Sequence, residues 1–250
     1  MRKKSLLAIM FFLIATIGYA FNFSVAPTRF EIVLDKVNTN EITLINNTTS
    51  PMRLESFLES APEYEKYSLN DHIKLYPKMI AIKPGGKQIV RFRVKPEGAM
   101  ESGEYKSYVV FKEIPLKEAI GESGSGVDAQ IKMITEVGIS IYGYYGEVNK
   151  GTNISNLKIS YDSKSSNLKI VADSDSKGNS SELLNQKIEV LGAGGLVSET
   201  IEAQFDRTKR SGKSKLESSM RIEGLKGKKV RVTITDTNGK IIERKTTETL

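Results

Sequence analysis

The chain reads as all-β, with two immunoglobulin-like β-sandwich domains in tandem. Three observations predict this. From residue 21 onward apolar and polar residues alternate with period two, turn signals recur about every 8 to 12 residues, and no long stretch carries a helical stripe. The segments "FSVAPTRFEIVL", "NEITLINN", "PMRLESFLES", "MIAIKPG", "KQIVRFRVKPEG", "GEYKSYVVFKEIP" and "AQIKMITEVGISIYGYY" supply seven strand-like runs, the number such a sandwich requires. "SAPEYEKYSLNDHIKLYPK" fits none of them and is expected to form a short helical turn or an irregular crossing between sheets.

Residues 1–20 are set apart from the fold. "MRKK" is a cationic start, "SLLAIMFFLIATIG" an apolar core, and Gly18 and Ala20 supply the small residues of a cleavage site, so the segment reads as a secretory signal peptide. Cleavage after Ala20 is expected to release a soluble chain. Loss of Arg2, Lys3 and Lys4 leaves basic residues only slightly in excess of the 30 acidic ones, a net charge near +4. Charges of both signs are interspersed and no basic run is interleaved with aromatics, which argues against nucleic acid as a partner.

There is no Cys and no Trp in 250 residues. A chain that leaves the cytoplasm without cysteine is held by packing alone, and two domains of about 110 residues each suffice for separate cores. The first domain is expected over 21–147, closing near "GYYGEVNKG", and a second β-sandwich over 148–250. The second half opens with an echo, "SNLKIS" and "SNLKIV" around "YDSKS", which predicts a hairpin, and Asn238-Gly239 marks a tight turn further on.

Enzyme chemistry is not evident. Thiol catalysis and zinc–thiolate sites are excluded, and His72 is the single histidine, with no second imidazole for a triad or metal site. The carboxylates are scattered, so no catalytic residue, metal or cofactor is expected. "KPGGK" at 83–87 lacks P-loop spacing and reads as a turn between strands, and "RTKRSGKSK" at 207–215 reads as a solvated loop. "NNTTS" and "TNIS" match the glycosylation sequon.

The run at 129–145 raises a sharper question. It follows "LKEAIGESGSGVD", a Gly/Ser-rich stretch without apolar period that is expected to form a mobile loop. Val127, Ala129, Ile131 and Met133 form an apolar row that continues through Val137, Ile139 and Ile141. Either the whole row is core, or its early half is offered to another chain.

"MIAIKPGGKQIVRFRVKPEG" and "GEYKSYVVFKEIP" resemble the corresponding segments of periplasmic chaperones for pili assembled by the chaperone–usher route. "SVAPTRFEI" looks like that family's first strand with its Thr-Arg pair, and "ITLINNTTSPMRLESFLE" its second and third strands. The likeness covers most of 23–145. It implies that the early row, Val127, Ala129, Ile131 and Met133, is a donor strand filling the groove of an unfinished pilin-like subunit, at about 1.5 to 3 kcal/mol per buried Ile or Met. It implies an outer-membrane usher as the second partner, and self-association or loop cover of the exposed strand when no client is present.

In that family an Arg of the first strand and a Lys of the seventh bind the subunit's terminal carboxylate. Arg29 matches the Arg. Gly138 stands where the Lys is expected and Val110 where the sixth strand usually has Asn, so Lys132 or a residue of the second domain has to supply the second charge. The competing class is a secreted structural or adhesive surface protein of two sandwiches, in which the whole row is core.

Overall fold

The computed structural model describes residues 22–115 and 134–249. The leader lies outside these residues, as do Val127, Ala129, Ile131 and Met133. The chain forms two compact units: residues up to Gly98 together with Tyr105–Gly143, and Ala99–Glu104 together with Tyr144–Leu250.

In the first unit the strands are β1 (Phe23–Ala26), β2 (Arg29–Val33), β3 (Asn38–Asn46), β4 (Met52–Ser60), β5 (Ile73–Tyr76), β6 (Met79–Ile82), β7 (Lys87–Val94), β8 (Gly103–Glu113) and β9 (Glu136–Tyr145). They make one four-stranded sheet, β1-β3-β7-β5, and one five-stranded sheet, β2-β9-β8-β4-β6. Two strands exceed the seven expected, for identifiable reasons. "FSVAPTRFEIVL" is split at Pro27, which has no N–H to give a ladder, so β1 pairs with β3 while β2 joins β9 in the other sheet. "IKLY", expected within an irregular crossing, pairs with β7 as β5 after one short 3-10 turn at Asn70–His72.

Alternation fixes the inner faces. Ile42 and Leu44 of β3, Leu54 of β4, Val90, Phe92 and Val94 of β7, Val109 and Phe111 of β8, and Ile139 and Ile141 of β9 are fully buried. Phe30 meets Phe92 edge to face with ring centroids 4.9 Å apart. Gly143 continues the inward row of β9 because Leu34 occupies its space: a Cβ there would lie 2.8 Å from Leu34 Cδ1. The pair of Asn residues after β3 also has a structural task. Asn46 is fully buried and its Nδ2 donates to the carbonyls of Ser50, Ile82 and Lys83, while its Oδ1 accepts from Thr48 N–H, so one amide ties the β3–β4 turn to the end of β6. "KPGGK" is a turn, with Gly86 N–H on the Lys83 carbonyl.

The second unit contains β10 (Thr152–Asp162), β11 (Asn167–Ser176), β12 (Leu183–Leu191), β13 (Val197–Arg207), β14 (Gly212–Arg221), β15 (Lys229–Thr235) and β16 (Ile241–Glu248). Its sheets are β10-β11-β14 and β13-β12-β15-β16. The echo is the expected hairpin, with Ile159 opposite Ile170 and one register shift between Ser155 and Lys158. Asn238-Gly239 lies in the turn between β15 and β16. The core is formed by Leu168, Ile170, Leu184, Ile188, Val190, Val230, Val232, Ile234 and their neighbours.

A buried polar network closes this unit. The carboxylate of Glu104, fully buried, accepts from Ser180 Oγ at 3.0 Å and Ser181 Oγ at 2.7 Å, while Arg210 Nε donates to the Glu104 carbonyl at 2.9 Å. Gly103 makes this possible. Its φ is +128°, and a Cβ would sit 2.5 Å from the Asn179 carbonyl oxygen and 2.7 Å from Arg210 Nη2.

Two outcomes follow from these contacts. Ile139→Asp places an unpaired charge in the first core and is expected to cost more than about 4 kcal/mol, read as loss of that unit's unfolding transition in urea with the second unit's transition retained. Gly103→Ala is expected to destabilise the second unit by about 2 kcal/mol or more in the same titration, since both the backbone angle and the Asn179 contact oppose a methyl group.

Candidate functional site

Burial of Ile139 and Ile141 sends the alternate residues of β9, Gly138, Ser140 and Tyr142, to the outer face of the five-stranded sheet. The same parity puts Lys106, Tyr108 and Val110 of β8 and Arg29 of β2 on that face. These three strands are neighbours in the sheet, with Ser140 N–H bonded to the Thr28 carbonyl at 3.2 Å.

Arg29 lies with its guanidinium carbon 4.6 Å from the centroid of the Tyr142 ring. Tyr142 is itself only 5% exposed, so the ring is a fixed platform. Arg29 also contacts the Glu31 carboxylate, two residues along the same strand, in an ion pair whose side chains are 37% and 53% exposed. A pair this open contributes little and is readily exchanged for another anion.

The second cation at this ring is Lys106. Its Nζ stands 4.9 Å from the Tyr142 centroid, 5.1 Å from that of Tyr108 and 5.8 Å from that of Tyr64. Each contact lies within the range where a ring quadrupole attracts an ammonium, worth about 0.5 to 1 kcal/mol when exposed. Among the described residues no carboxylate is within ion-pair distance of Lys106. The backbone is held as well, Lys106 N–H donating to the Tyr67 carbonyl at 3.0 Å, while the Tyr67 and Tyr105 rings meet edge to face at 5.7 Å.

Two cations held at one ring repel each other, and a carboxylate that binds both offsets that repulsion. Guanidinium accepts a carboxylate through two parallel hydrogen bonds, and an ammonium adds a point charge from a second direction. The site is therefore suited to a single carboxylate.

Sequence reasoning singled out Arg29 and missed Lys106. The signal was "YKSY", which puts Lys106 and Tyr108 on one face of a strand, but nothing local says that this face meets Tyr142. Lys132 lies outside the described residues, and the cation that shares the Tyr142 ring with Arg29 is Lys106 of the first unit. Gly138, in the expected place of the Lys, faces outward with room around it: a Cβ would have only ordinary contacts, Val110 Cγ2 at 3.9 Å and Tyr108 at 4.0 Å. Tyr142, grouped from sequence with Tyr144 and Tyr145 at the domain junction, is the platform for both cations.

Residues 22–141 match the family model for the pili and flagellar-assembly chaperone, PapD N-terminal domain. Among solved structures the chain is similar to the Escherichia coli chaperone DraB, at 13% identity over 92% of this chain and 97% of that one, with a TM-score of 0.47. It is similar also to the Pseudomonas aeruginosa chaperone CupB2, at 10% identity over 90% and 97% of the two chains, with a TM-score of 0.46. A third is the SafB chaperone in complex with the Salmonella enterica SafA pilin, at 14% identity over 92% and 97%, with a TM-score of 0.48. No curated protein matches by sequence. Over its first unit the chain thus belongs to the family of the PapD N-terminal domain of pili and flagellar-assembly chaperones.

Proposed function

We propose that this protein is a periplasmic chaperone that caps pilin-like subunits by strand donation and delivers them to an outer-membrane usher, gripping the subunit's terminal carboxylate between Arg29 and Lys106. The observation that carries this reading is the pair of cations on the Tyr142 ring, at 4.6 and 4.9 Å from its centroid, in a chain of the pilus chaperone family. The second charge comes from β8 in place of the family's seventh-strand lysine.

The donated row is Val127, Ala129, Ile131 and Met133. It leads directly into β9, whose Ile139 and Ile141 belong to the chaperone's own core. One strand thus has two functions: its later half anchors, and its earlier half fills the subunit's groove. The leader at 1–20 carries the chain to the periplasm, and the reaction is one of binding, with neither catalytic group nor cofactor. Without a client the apolar row pairs with a second copy or is covered by the loop before it.

Native mass spectrometry of the mature protein from the periplasm of its own cells tests the reading. A one-to-one complex with a small β-rich secreted subunit is expected, lost in Ile131→Asp while the melting temperature is unchanged. A client-free protein under conditions where pili are made would instead support a structural surface protein. Lys106→Gln and Arg29→Ala are each expected to weaken client capture by about tenfold or more without loss of fold, since each removes a charge-assisted hydrogen bond worth about 1.5 to 3 kcal/mol. Gly138→Lys, for which there is space, is expected to leave the unfolding midpoint within about 0.5 kcal/mol of the parent and to bind client at least as tightly.

A further inference from the structure

The other sheet of the first unit presents a second charged surface, on its own outer face. Along β7 the outward positions are Lys87, Ile89, Arg91 and Arg93, and Lys95 follows in the same parity. Arg91 is taken by Glu41 of β3 at 2.7 Å, and Lys95 by Glu97 at 2.7 Å, a contact that holds the Glu97 carboxyl below its ordinary range. Arg93 is different. Its direct cross-strand neighbour on β5 is Lys74, a like charge, and on β3 it faces Thr39.

Like charges directly opposite on a sheet destabilise it. Among the described residues neither Lys74 nor Arg93 has a carboxylate within ion-pair distance, and neither does Lys87. Asp71 and Glu97 line the same small hollow with His72 and Lys95 and are beyond that distance from Lys74 and Arg93, although the charge of Lys74 adds to that of Lys95 in lowering the Glu97 carboxyl. Beside the pair, opposite Arg91, stands Tyr76, an aromatic side chain that is 77% exposed.

The spacing says what fits. Alternate residues of a strand recur about every 7 Å, so Arg91, Arg93 and Lys95 form a cationic row with the repeat of an extended chain. A segment with carboxylates at alternate positions carries the complementary row. We propose that the outer face of the β1-β3-β7-β5 sheet is a docking surface for an extended acidic segment of a partner protein, laid along β7 with successive carboxylates at Arg91 and at the opposed Arg93–Lys74 pair and its flank against Tyr76. This surface is independent of Arg29 and Lys106, which stand on the outer face of the other sheet.

The test is fluorescence anisotropy of the whole protein with a labelled peptide of alternating Glu and Ser, at low and at high salt. Binding at low salt is expected to weaken on addition of salt, as exposed charge contacts do. Lys74→Gln combined with Arg93→Gln is expected to weaken it by about tenfold or more, and Lys226→Gln, an exposed lysine of the second unit, to leave it unchanged. Lys74→Gln alone is expected to raise the unfolding midpoint, because it removes the cross-strand repulsion. The proposal is overturned if the double variant binds as the parent does, or if a peptide of the same composition with its Glu residues in one block binds equally tightly. Binding to phosphatidylglycerol vesicles that depends on Lys74 and Arg93, with no binding of the alternating peptide, would assign the surface to anionic lipid instead.

Discussion

Burial of Ile139 and Ile141 is the constraint on which the first unit depends. A strand has two faces, so placing these two side chains in the core gives Gly138, Ser140 and Tyr142 no choice but the outer face. A slip of one residue would turn Tyr142 from the outer face into the core between the sheets and expose both isoleucines. The site follows from that parity: Tyr142 reaches the face where its neighbours in the sheet, β2 and β8, present Arg29 and Lys106.

Cation–π contacts alone are modest. Their effect here is geometric, since one buried ring holds two cations from different strands in one place without neutralising either. A carboxylate partner of their own would quench the site, and the contact of Arg29 with Glu31 is exposed enough to yield to a better ligand. Cationic charge is treated in the same way at Lys74 and Arg93, where the sheet tolerates an opposed like-charge pair. Each outer face of the sandwich thus carries cations without a carboxylate at ion-pair distance among the described residues, Lys106 on one and the opposed Lys74 and Arg93 on the other.

The two units solve the absence of disulfides differently. The first closes its turns with a single buried amide, Asn46, bonded to three carbonyls. The second buries a carboxylate, Glu104, and supports it with two serine hydroxyls. A buried charge without those donors would be strongly unfavourable, so Ser180 and Ser181 matter to this unit more than their size suggests.

Period-two alternation in the sequence determined the all-β class, most of the strands, the hairpin of the internal echo and the turn at "KPGGK". Each of these depends on neighbours along the chain, where local sterics and hydrophobic pattern suffice. Arg29 was singled out through the Thr-Arg pair, and the structure sets it against the Tyr142 ring. Tertiary structure decided the rest. The sheet switch after Pro27 and the pairing of "IKLY" with β7 depend on which edge is free, and no local pattern records that. The second cation is the sharpest case: Lys106 lies 77 positions from Arg29, and the two share one ring only because β9 runs between β2 and β8 and presents a tyrosine to both.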